Sequence, residues 1–542
     1  MKGFDTKIID ASLDDRGIKV AALKLFLVAS GAVLFNFIFW QEKLALNALL
    51  FDTFVLWSVF YLYPAAFTKP AMKWLLLAHA VTLAALIVHN TMLTKLAFST
   101  TLLLVVVFTQ YFHRSVWYAA ASAVGNYVLF IFSFFENIRQ VKITGIKSFG
   151  IRKALRFLII PFLIAGIFFL LYSFSNAVFQ DVVKDMGLAI EHFFTKFFTW
   201  FSWSRFVFLL LGLLVTGGLL LKMHSNYFSE KDYLQHNDLW RKKNNLKKWK
   251  ESASFDILSL FMGRFANGIM ALRNENTVGI LSLVMLNILL LFINAIDIVY
   301  VWFGFNYTPN LNLKEYVHEG TGMLIFSIVL AMLVLLFFFR GNLNFYKKNK
   351  WLRYGAYGWI FQNAVLVISV LLRDYYYIQH MGLAYKRIGV LVFLSMVLMG
   401  LITVFIKIYQ RKTSYYLLRV NGWFAIILLV AASCVHWDET MAKYNIAHKS
   451  TIPLDVEFLL TLSDKTLPLI EKNQEVLLDK TTVQGEGDYL YRSPFSPKQV
   501  FDQRKRDFLN EQKNYSWLSW NAADDYVENY LSKAVITSSL NK

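Results

Sequence analysis

The chain has 542 residues, of which 57% are hydrophobic and only 17% are charged, whereas a soluble protein normally carries about a quarter charged residues. This composition excludes a soluble globular protein. The net charge of +19 does not indicate a nucleic-acid partner, because much of the excess lies in loops beside apolar segments, where Lys and Arg set membrane orientation. We therefore expect the lipid bilayer, and no nucleic acid, around most of the chain.

Twelve apolar segments, each long enough to cross a bilayer, occupy most of residues 18–436. About 20 apolar residues in a helix span the hydrocarbon core, so the sequence predicts an all-α, polytopic transmembrane helix bundle of about 12 spans with a small C-terminal extramembrane tail. The predicted segments are 18–40, 44–63, 72–89, 93–112, 115–135, 155–176, 205–223, 277–303, 320–339, 356–373, 387–408 and 421–436.

Four domains are predicted along the chain. They are an N-terminal five-span bundle (1–135), two spans with an amphipathic outer helix and a basic loop (136–276), a five-span bundle with a polar outer layer (277–436) and a tail (437–542). Aromatic residues beside acidic and basic ones predict that the outer helix, at 177–204, lies in the membrane interface. The tail is polar, with short helical patterns, and predicts no sizeable independent core.

The basic loops predict the orientation of the chain. Residues 136–154, 224–276, 340–355 and 409–420 are rich in Lys and Arg and alternate correctly for one common side, which should be the cytoplasm. The tail then faces outward. Counting five spans back from the first of these loops places the N-terminus outside as well.

Charged residues near the ends of the later segments predict a polar layer. Asn294 and Asp297 share one face of the eighth segment, and Arg373 ends a polar face of the tenth. The predicted topology brings three acids and two arginines from five segments to one membrane depth, where opposite charges can pair. These five residues are Asp297, Glu319, Arg373, Arg387 and Asp438.

The layer has two interpretations, a structural ion-pair network and an outward-facing binding pocket. Since the planar guanidinium suits carboxylate and phosphate, a pocket would take a small anionic or lipid ligand. We find no phosphate loop, dinucleotide fingerprint, metalloprotease helix or nucleophile elbow, and we predict no catalytic residue, metal or cofactor. The pattern points to no particular protein partner.

Three function classes remain open. The leading hypothesis is a non-enzymatic integral membrane protein acting in envelope maintenance, sensing or assembly. A transporter of a small polar or anionic solute is the first alternative, although no inverted repeat is evident. A membrane-embedded transferase acting on a lipid-linked substrate, with Asp297, His318 or Glu319 as base, is the second.

Four spaced motifs lie in the second half of the chain: Tyr316-Val317-His318-Glu319-Gly320; Arg373 with Tyr377, Gly382, Leu383 and Arg387; Trp437-Asp438 with Tyr444-Asn445; and Leu454-Asp455 with Phe458, Leu459, Leu462 and Pro468. On these motifs, residues 280–470 resemble an uncharacterised family of bacterial multi-pass membrane proteins with a domain of unknown function. The resemblance implies a shared fold in the bacterial inner membrane and no activity. The family often has Thr where this chain has Ala384, so no hydroxyl role carries over.

The polar layer and the motifs coincide, and together they predict one set of binding residues. The set is Asn294, Asp297, Tyr316, His318, Glu319, Arg373, Tyr377, Arg387, Trp437, Asp438, Tyr444 and Asn445.

Overall fold

The computed structural model shows an all-α protein. It describes residues 5–141, 161–169, 182–188, 202–223, 225–240, 271–303, 313–339, 342–478 and 496–540, with Tyr172, Ser175 and Phe179. Side chains are described there except at 5–18, 271, 313–321, 476 and 534–540. In this part of the chain, the extended backbone pairing is one isolated bridge between Asp238 and Lys412. The predicted all-α class is confirmed.

The labelled helices, in chain order, are α1 (Asp5–Phe39), α2 (Leu46–Leu62), α3 (Pro70–His89), α4 (Met92–Gln110), α5 (Val116–Val128), α6 (Phe130–Gln140), α7 (Trp203–Leu220), α8 (Tyr227–Leu234), α9 (Ala271–Asp297), α10 (Leu313–Phe338), α11 (Lys350–Met381), α12 (Tyr385–Gln410), α13 (Ser414–Ser433), α14 (Trp437–Ala447), α15 (Val456–Thr461), α16 (Leu467–Lys472), α17 (Gln474–Leu477), α18 (Pro497–Gln512) and α19 (Ala522–Leu540). Residues 161–169 and 182–188 are helical as well.

Apolar helices of membrane-spanning length dominate the fold. Among the described residues, 8 helices are long and apolar enough to cross a bilayer, and α5 with α6, bent by 65°, qualify only as a pair. Leu46–Leu62 and Gly322–Phe338 are shorter apolar helices. Each of the predicted apolar segments overlaps helical residues, so the polytopic bundle is confirmed. The amphipathic helix predicted at 177–204 lies largely outside the described residues.

The chain divides into two compact units. One comprises Met1–Trp40 and Gly125–His224, and the other comprises Gln41–Val124 and Ser225–Lys542. The four predicted domains have different boundaries and stay a prediction. In the first unit, α7 packs closely on α1 because Gly212 has no side chain. A Cβ there would stand 2.9 Å from a ring carbon of Phe35, a close approach typical of small residues between membrane helices.

In the second unit, α9 to α13 share one apolar core. The amide of Asn287 donates to the carbonyl of Gly355 at 3.0 Å, and the amide of Asn294 donates to the carbonyl of Gln362 at 3.1 Å. Moving seven residues along α9, from Asn287 to Asn294, moves the contact seven residues forward along α11, from Gly355 to Gln362. The two helices are therefore parallel.

The turns of the second unit gather at two opposite ends, because its helices run back and forth between them. At one end, Arg114 donates to the carbonyl of Gln235 at 3.1 Å, and Lys412 pairs with Asp238 at 2.6 Å. Further contacts extend this group to neighbouring turns. We call it the basic end, and it is formed by residues 63–69, 111–115, 225–240, 339, 342–349 and 411–413.

The opposite end carries the tail. The side chain of Asn90 donates to the carbonyl of Leu44 at 3.0 Å, and His89 Nε2 lies 3.2 Å from the carbonyl oxygen of Cys434. We call this the tail end, and it is formed by residues 41–45, 90–91, 382–384 and 434–436 with the described residues of the tail, 437–478 and 496–540.

One contact disagrees with the predicted topology. Three spans predicted between residues 112 and 224 would put the flanking loops on opposite sides of the membrane. Instead, the Asp232 carboxylate accepts hydrogen bonds from the backbone N–H groups of Arg114 at 2.6 Å and Ser115 at 3.1 Å. Loops in contact share a side of a membrane, so this contact does not fit three crossings between them. The bent pair α5–α6 is where the helical path breaks.

The tail folds around an apolar core of its own. Short helices each contribute a few buried residues, and Ile388 from α12 joins them, so the core is continuous with the bundle. Its fully buried members include Met441, Leu459, Leu467 and Leu531.

The tail is also tied to the turn that precedes α2. The Glu42 carboxylate accepts hydrogen bonds from the backbone N–H of Ser516 at 3.2 Å and from the hydroxyl of Ser519. The backbone N–H of Leu46 donates to the carbonyl of Trp520 at 3.2 Å. These contacts fix α18 and α19 at the tail end.

Candidate functional site

A cavity of about 870 Å³ lies at the tail end of the second unit. Its walls are apolar faces of α12 and α13, two helices of membrane-spanning length. Its lining residues are Asn90, Thr91, Met92, Leu93, Tyr385, Ile388, Gly389, Val392, Met396, Ala425, Leu428, Leu429, Ala432, Trp437, Asp438, Ser463 and Lys465. The charged members come from the tail, so the cavity is apolar along the spans and polar at one end.

Asp438 stands at the polar end. It is placed by the start of α14, where His436 Nδ1 accepts the N–H of Glu439 at 3.1 Å and acidic residues occupy the first turn, an arrangement that suits a helix N-terminus. Oδ2 accepts a hydrogen bond from the backbone N–H of Ser463 at 3.2 Å. Oδ1 is buried and has no hydrogen-bond partner, and the residue is 7% exposed. A buried acceptor without a donor costs free energy, which a donor on a ligand would recover.

Lys465 is the other charged group of the cavity. Its ammonium donates to the backbone carbonyls of His89 and Asn90, which end α3, and lies 3.9 Å from Asp524 Oδ1. Burial lowers the pKa of Lys465 to about 8, against the raising effect of the Asp524 carboxylate. The amine is therefore still mostly charged at neutral pH. Burial, aided by Lys465, also lowers the pKa of the neighbouring His436 to about 4, so that imidazole is neutral.

Two of the predicted site residues form an ion pair elsewhere. Arg373 Nη2 donates to Asp297 Oδ1 at 2.5 Å, and the two side chains are 12% and 4% exposed. Two neighbouring hydrogen bonds join the same part of the chain to α11. Asn294 donates to the carbonyl of Gln362, and Trp302, which follows α9, donates to the hydroxyl of Ser369 at 2.9 Å. The predicted charge pairing is thus present here as a brace between two parallel helices.

Three further predicted residues hold the turn between α11 and α12. Arg387 donates to the carbonyls of Met381 and Gly382, and its guanidinium lies 4.1 Å from the ring centroid of Tyr377. Asn445 accepts the N–H of Leu383 at 2.6 Å and donates to its carbonyl at 3.0 Å. Gly382 has φ +80, and a Cβ there would stand 2.6 Å from Asn445 Oδ1. This turn therefore needs glycine.

Of the remaining predicted residues, Trp437, Asp438 and Tyr444 have described side chains. Trp437 and Asp438 line the cavity. The ring of Tyr444 packs on His448, with centroids 4.3 Å apart. The side chains of Tyr316, His318 and Glu319 lie outside the described residues, and so does their predicted part in the layer.

The sequence did not point to Lys465 as a site residue. It lies in the polar tail, and its carbonyl partners are 376 and 375 residues away, so no local pattern marks it. A second polar cluster joins α2, α3 and α4. His79 bonds Asp52 through Nε2 at 2.8 Å and Thr101 through Nδ1 at 2.9 Å. Both ring nitrogens are satisfied, and we assign this cluster to packing.

Comparison with known proteins identifies a family whose pattern matches residues 53–473. The chain belongs to the family described as Domain of unknown function (DUF4153). The resemblance seen in the sequence is thus confirmed, and the protein is an integral, multi-pass membrane protein. No curated protein and no solved structure matches the chain. All the residues that line the cavity fall within the part that this family shares.

Proposed function

We propose that the protein binds a membrane lipid in the cavity at the tail end, and that it serves envelope maintenance, sensing or assembly through that lipid rather than through catalysis. The observation that carries the proposal is the division of the cavity into apolar walls on α12 and α13 and a polar end formed by Asp438 and Lys465. An acyl chain fits walls of this kind, and a headgroup fits the polar end.

The walls argue against a path for a small polar solute. Transporters of such solutes place polar or ionisable groups near the middle of the bilayer, commonly beside broken helices. Here the wall residues, such as Val392, Leu428 and Leu429, are apolar. Asp297 and Arg373 form an ion pair that joins α9 and α11, so they support a brace rather than a transport pathway.

A transferase acting on a lipid-linked substrate would use the same cavity, and one observation bears on it. Among the acids considered, Asp297 and Asp438 each have a buried oxygen without a hydrogen-bond partner, but Asp297 is paired with Arg373, and of the two it is Asp438 that lines the cavity. Asp438 is therefore the candidate base in that alternative. Turnover of the lipid that the purified protein retains would favour a transferase over a binding protein.

We infer that the protein lies in a bacterial inner membrane with its basic end in the cytoplasm and its tail end outside. Support comes from the excess of Lys and Arg in the loops that meet at the basic end. Counting back from the loop at 111–115 through α4, α3, α2 and α1 gives four crossings, and places the N-terminus in the cytoplasm. Reporter fusions at Lys2 and Lys247 should report the cytoplasmic side, and a fusion at Lys480 the outside. A reporter at Lys247 on the same side as one at Lys480 would contradict this orientation.

Filling the cavity tests lipid binding. Gly389 lines the cavity, and a Cβ there would have no heavy atom within 4 Å. Gly389→Phe should therefore add a ring beside the cavity from a Cβ that meets no neighbour, and lower the lipid retained per protein after purification in mild detergent. Gly322, on α10, is equally unhindered and does not line the cavity, so Gly322→Phe is the matched control.

The measurement is the amount of phospholipid per protein by mass spectrometry, with the unfolding temperature as a check on folding. Equal retention by wild type, Gly389→Phe and Gly322→Phe would remove the basis for the proposal.

A further inference from the structure

We propose that the polar end of the cavity selects a phospholipid whose headgroup carries both a primary ammonium and a phosphate, as phosphatidylethanolamine does. This inference rests on the proposed lipid binding and adds the chemical class of the lipid.

The acidic side of the site calls for an N–H donor. Asp438 Oδ1 is buried and unpartnered, while Oδ2 is occupied by the N–H of Ser463. A primary ammonium supplies both the positive charge and the N–H that a buried carboxylate oxygen needs. A trimethylated ammonium supplies the charge but has no N–H, so it would leave Oδ1 without a hydrogen bond.

The basic side of the site calls for an anion. The ammonium of Lys465 has three N–H donors, of which two go to the carbonyls of His89 and Asn90. Asp524 Oδ1, at 3.9 Å, is beyond hydrogen-bonding distance. One donor therefore remains for a phosphate oxygen, on a residue that itself lines the cavity.

Charge balance distinguishes the zwitterionic headgroup from an anionic one. The phosphate of either headgroup could meet Lys465, whose charge also acts on Asp438 and Asp524, but the ammonium also brings a cation with an N–H to Asp438 Oδ1. A headgroup such as glycerol brings hydroxyl donors without a positive charge. Hydrogen bonds between two charged groups are the stronger ones, so the site should prefer the ethanolamine headgroup over both glycerol and choline.

The test uses the full chain in nanodiscs that contain equal amounts of phosphatidylethanolamine, phosphatidylglycerol and phosphatidylcholine. After extraction into mild detergent, retained lipids are quantified by mass spectrometry, and the difference between wild type and Gly389→Phe gives the cavity component. We expect that component to be enriched in phosphatidylethanolamine about ten-fold or more, the range of one hydrogen bond to a charged group.

Substitutions at Asp438 separate charge from shape. Asp438→Asn keeps an acceptor for Ser463 but loses the charge. It should bring the enrichment of phosphatidylethanolamine close to one-fold, while the total lipid retained per protein stays as in wild type. Asp438→Glu keeps the charge and should keep the preference. Asp507, on α18, is exposed and does not line the cavity, so Asp507→Asn is the charge-matched control and should behave as wild type.

The outcomes separate the two proposals. The headgroup inference fails if the lipids retained through the cavity have the same composition as the nanodisc, or are enriched in phosphatidylglycerol or phosphatidylcholine. Lipid binding would still stand in either case. An unchanged preference in Asp438→Asn would also overturn the headgroup inference and leave lipid binding standing. If Gly389→Phe and Gly322→Phe retain the same total lipid as wild type, lipid binding itself fails.

Discussion

The brace between α9 and α11 and the polar end of the cavity use the same residue types in different ways. In the brace, Arg373 pairs with Asp297 Oδ1 at 2.5 Å, while the other oxygen of Asp297 is buried without a hydrogen-bond partner and does not line the cavity. At the cavity, Lys465 donates hydrogen bonds to two backbone carbonyls, and Asp438 has one buried oxygen without a donor. Both places bring charge to the end of a membrane helix, so charge alone does not mark a binding site. An unsatisfied buried atom beside a cavity is the more informative feature.

The largest expected effect is at the brace. Arg373→Ala removes the partner of Asp297 and leaves a buried acid uncompensated, which typically destabilises a protein by about 3–5 kcal/mol. We expect a markedly lower unfolding temperature and less folded protein in the membrane. The double variant Asp297→Leu with Arg373→Met, which removes both charges, should recover most of the loss. Normal stability of Arg373→Ala would show that the pair is dispensable and weaken the contrast with the cavity.

A smaller effect is expected at the turn between α11 and α12. Asn445→Ala removes both hydrogen bonds to Leu383 and leaves two backbone groups to find water, at a cost of about 1–3 kcal/mol. Asn473→Ala, which removes a single local hydrogen bond to the carbonyl of Leu469, is the control and should cost less. Thermal unfolding in detergent measures both. Equal values for the two variants would contradict a special role of Asn445 in holding the turn.

The smallest effect on stability is expected at the cavity. Asp438→Asn can still accept the N–H of Ser463, and no ion pair at hydrogen-bonding distance is lost, so unfolding free energy should change by less than about 1 kcal/mol. Asp297→Asn, the same substitution at the brace, should be clearly more destabilising. The comparison requires only unfolding temperatures. If the order were reversed, Asp438 would belong to the scaffold and the brace would lose its special status.

Local patterns predicted most of the fold. Apolar runs predicted the helices, because each helix buries its backbone polar groups within its own segment. Asp297 and Arg373 could be assigned to one polar layer because both lie near the outer ends of their predicted segments, but the sequence did not say which acid pairs with which arginine. The bend between α5 and α6 was not predicted, since residues 115–135 are uniformly apolar enough to read as one span.

The cavity could not be predicted, because its parts are distant in sequence. Lys465 contacts the end of α3 only when the tail has folded against the bundle. No apolar segment or repeat in the sequence predicts that contact. The tail core was underestimated for a similar reason. Its short helices carry few apolar residues each, and these form a core only when brought together in three dimensions.

The ties between Glu42 and the tail have a consequence for the order of assembly. The residues joined there, Glu42 and Ser516, are 474 positions apart. At a synthesis rate of about 5–20 residues per second, Glu42 waits roughly 25–95 s for its partner to leave the ribosome. Lys465 is made only shortly before Ser516. The cavity walls on α12 and α13 are also made late, so the cavity can form only after α3 and α4 already sit in the bilayer.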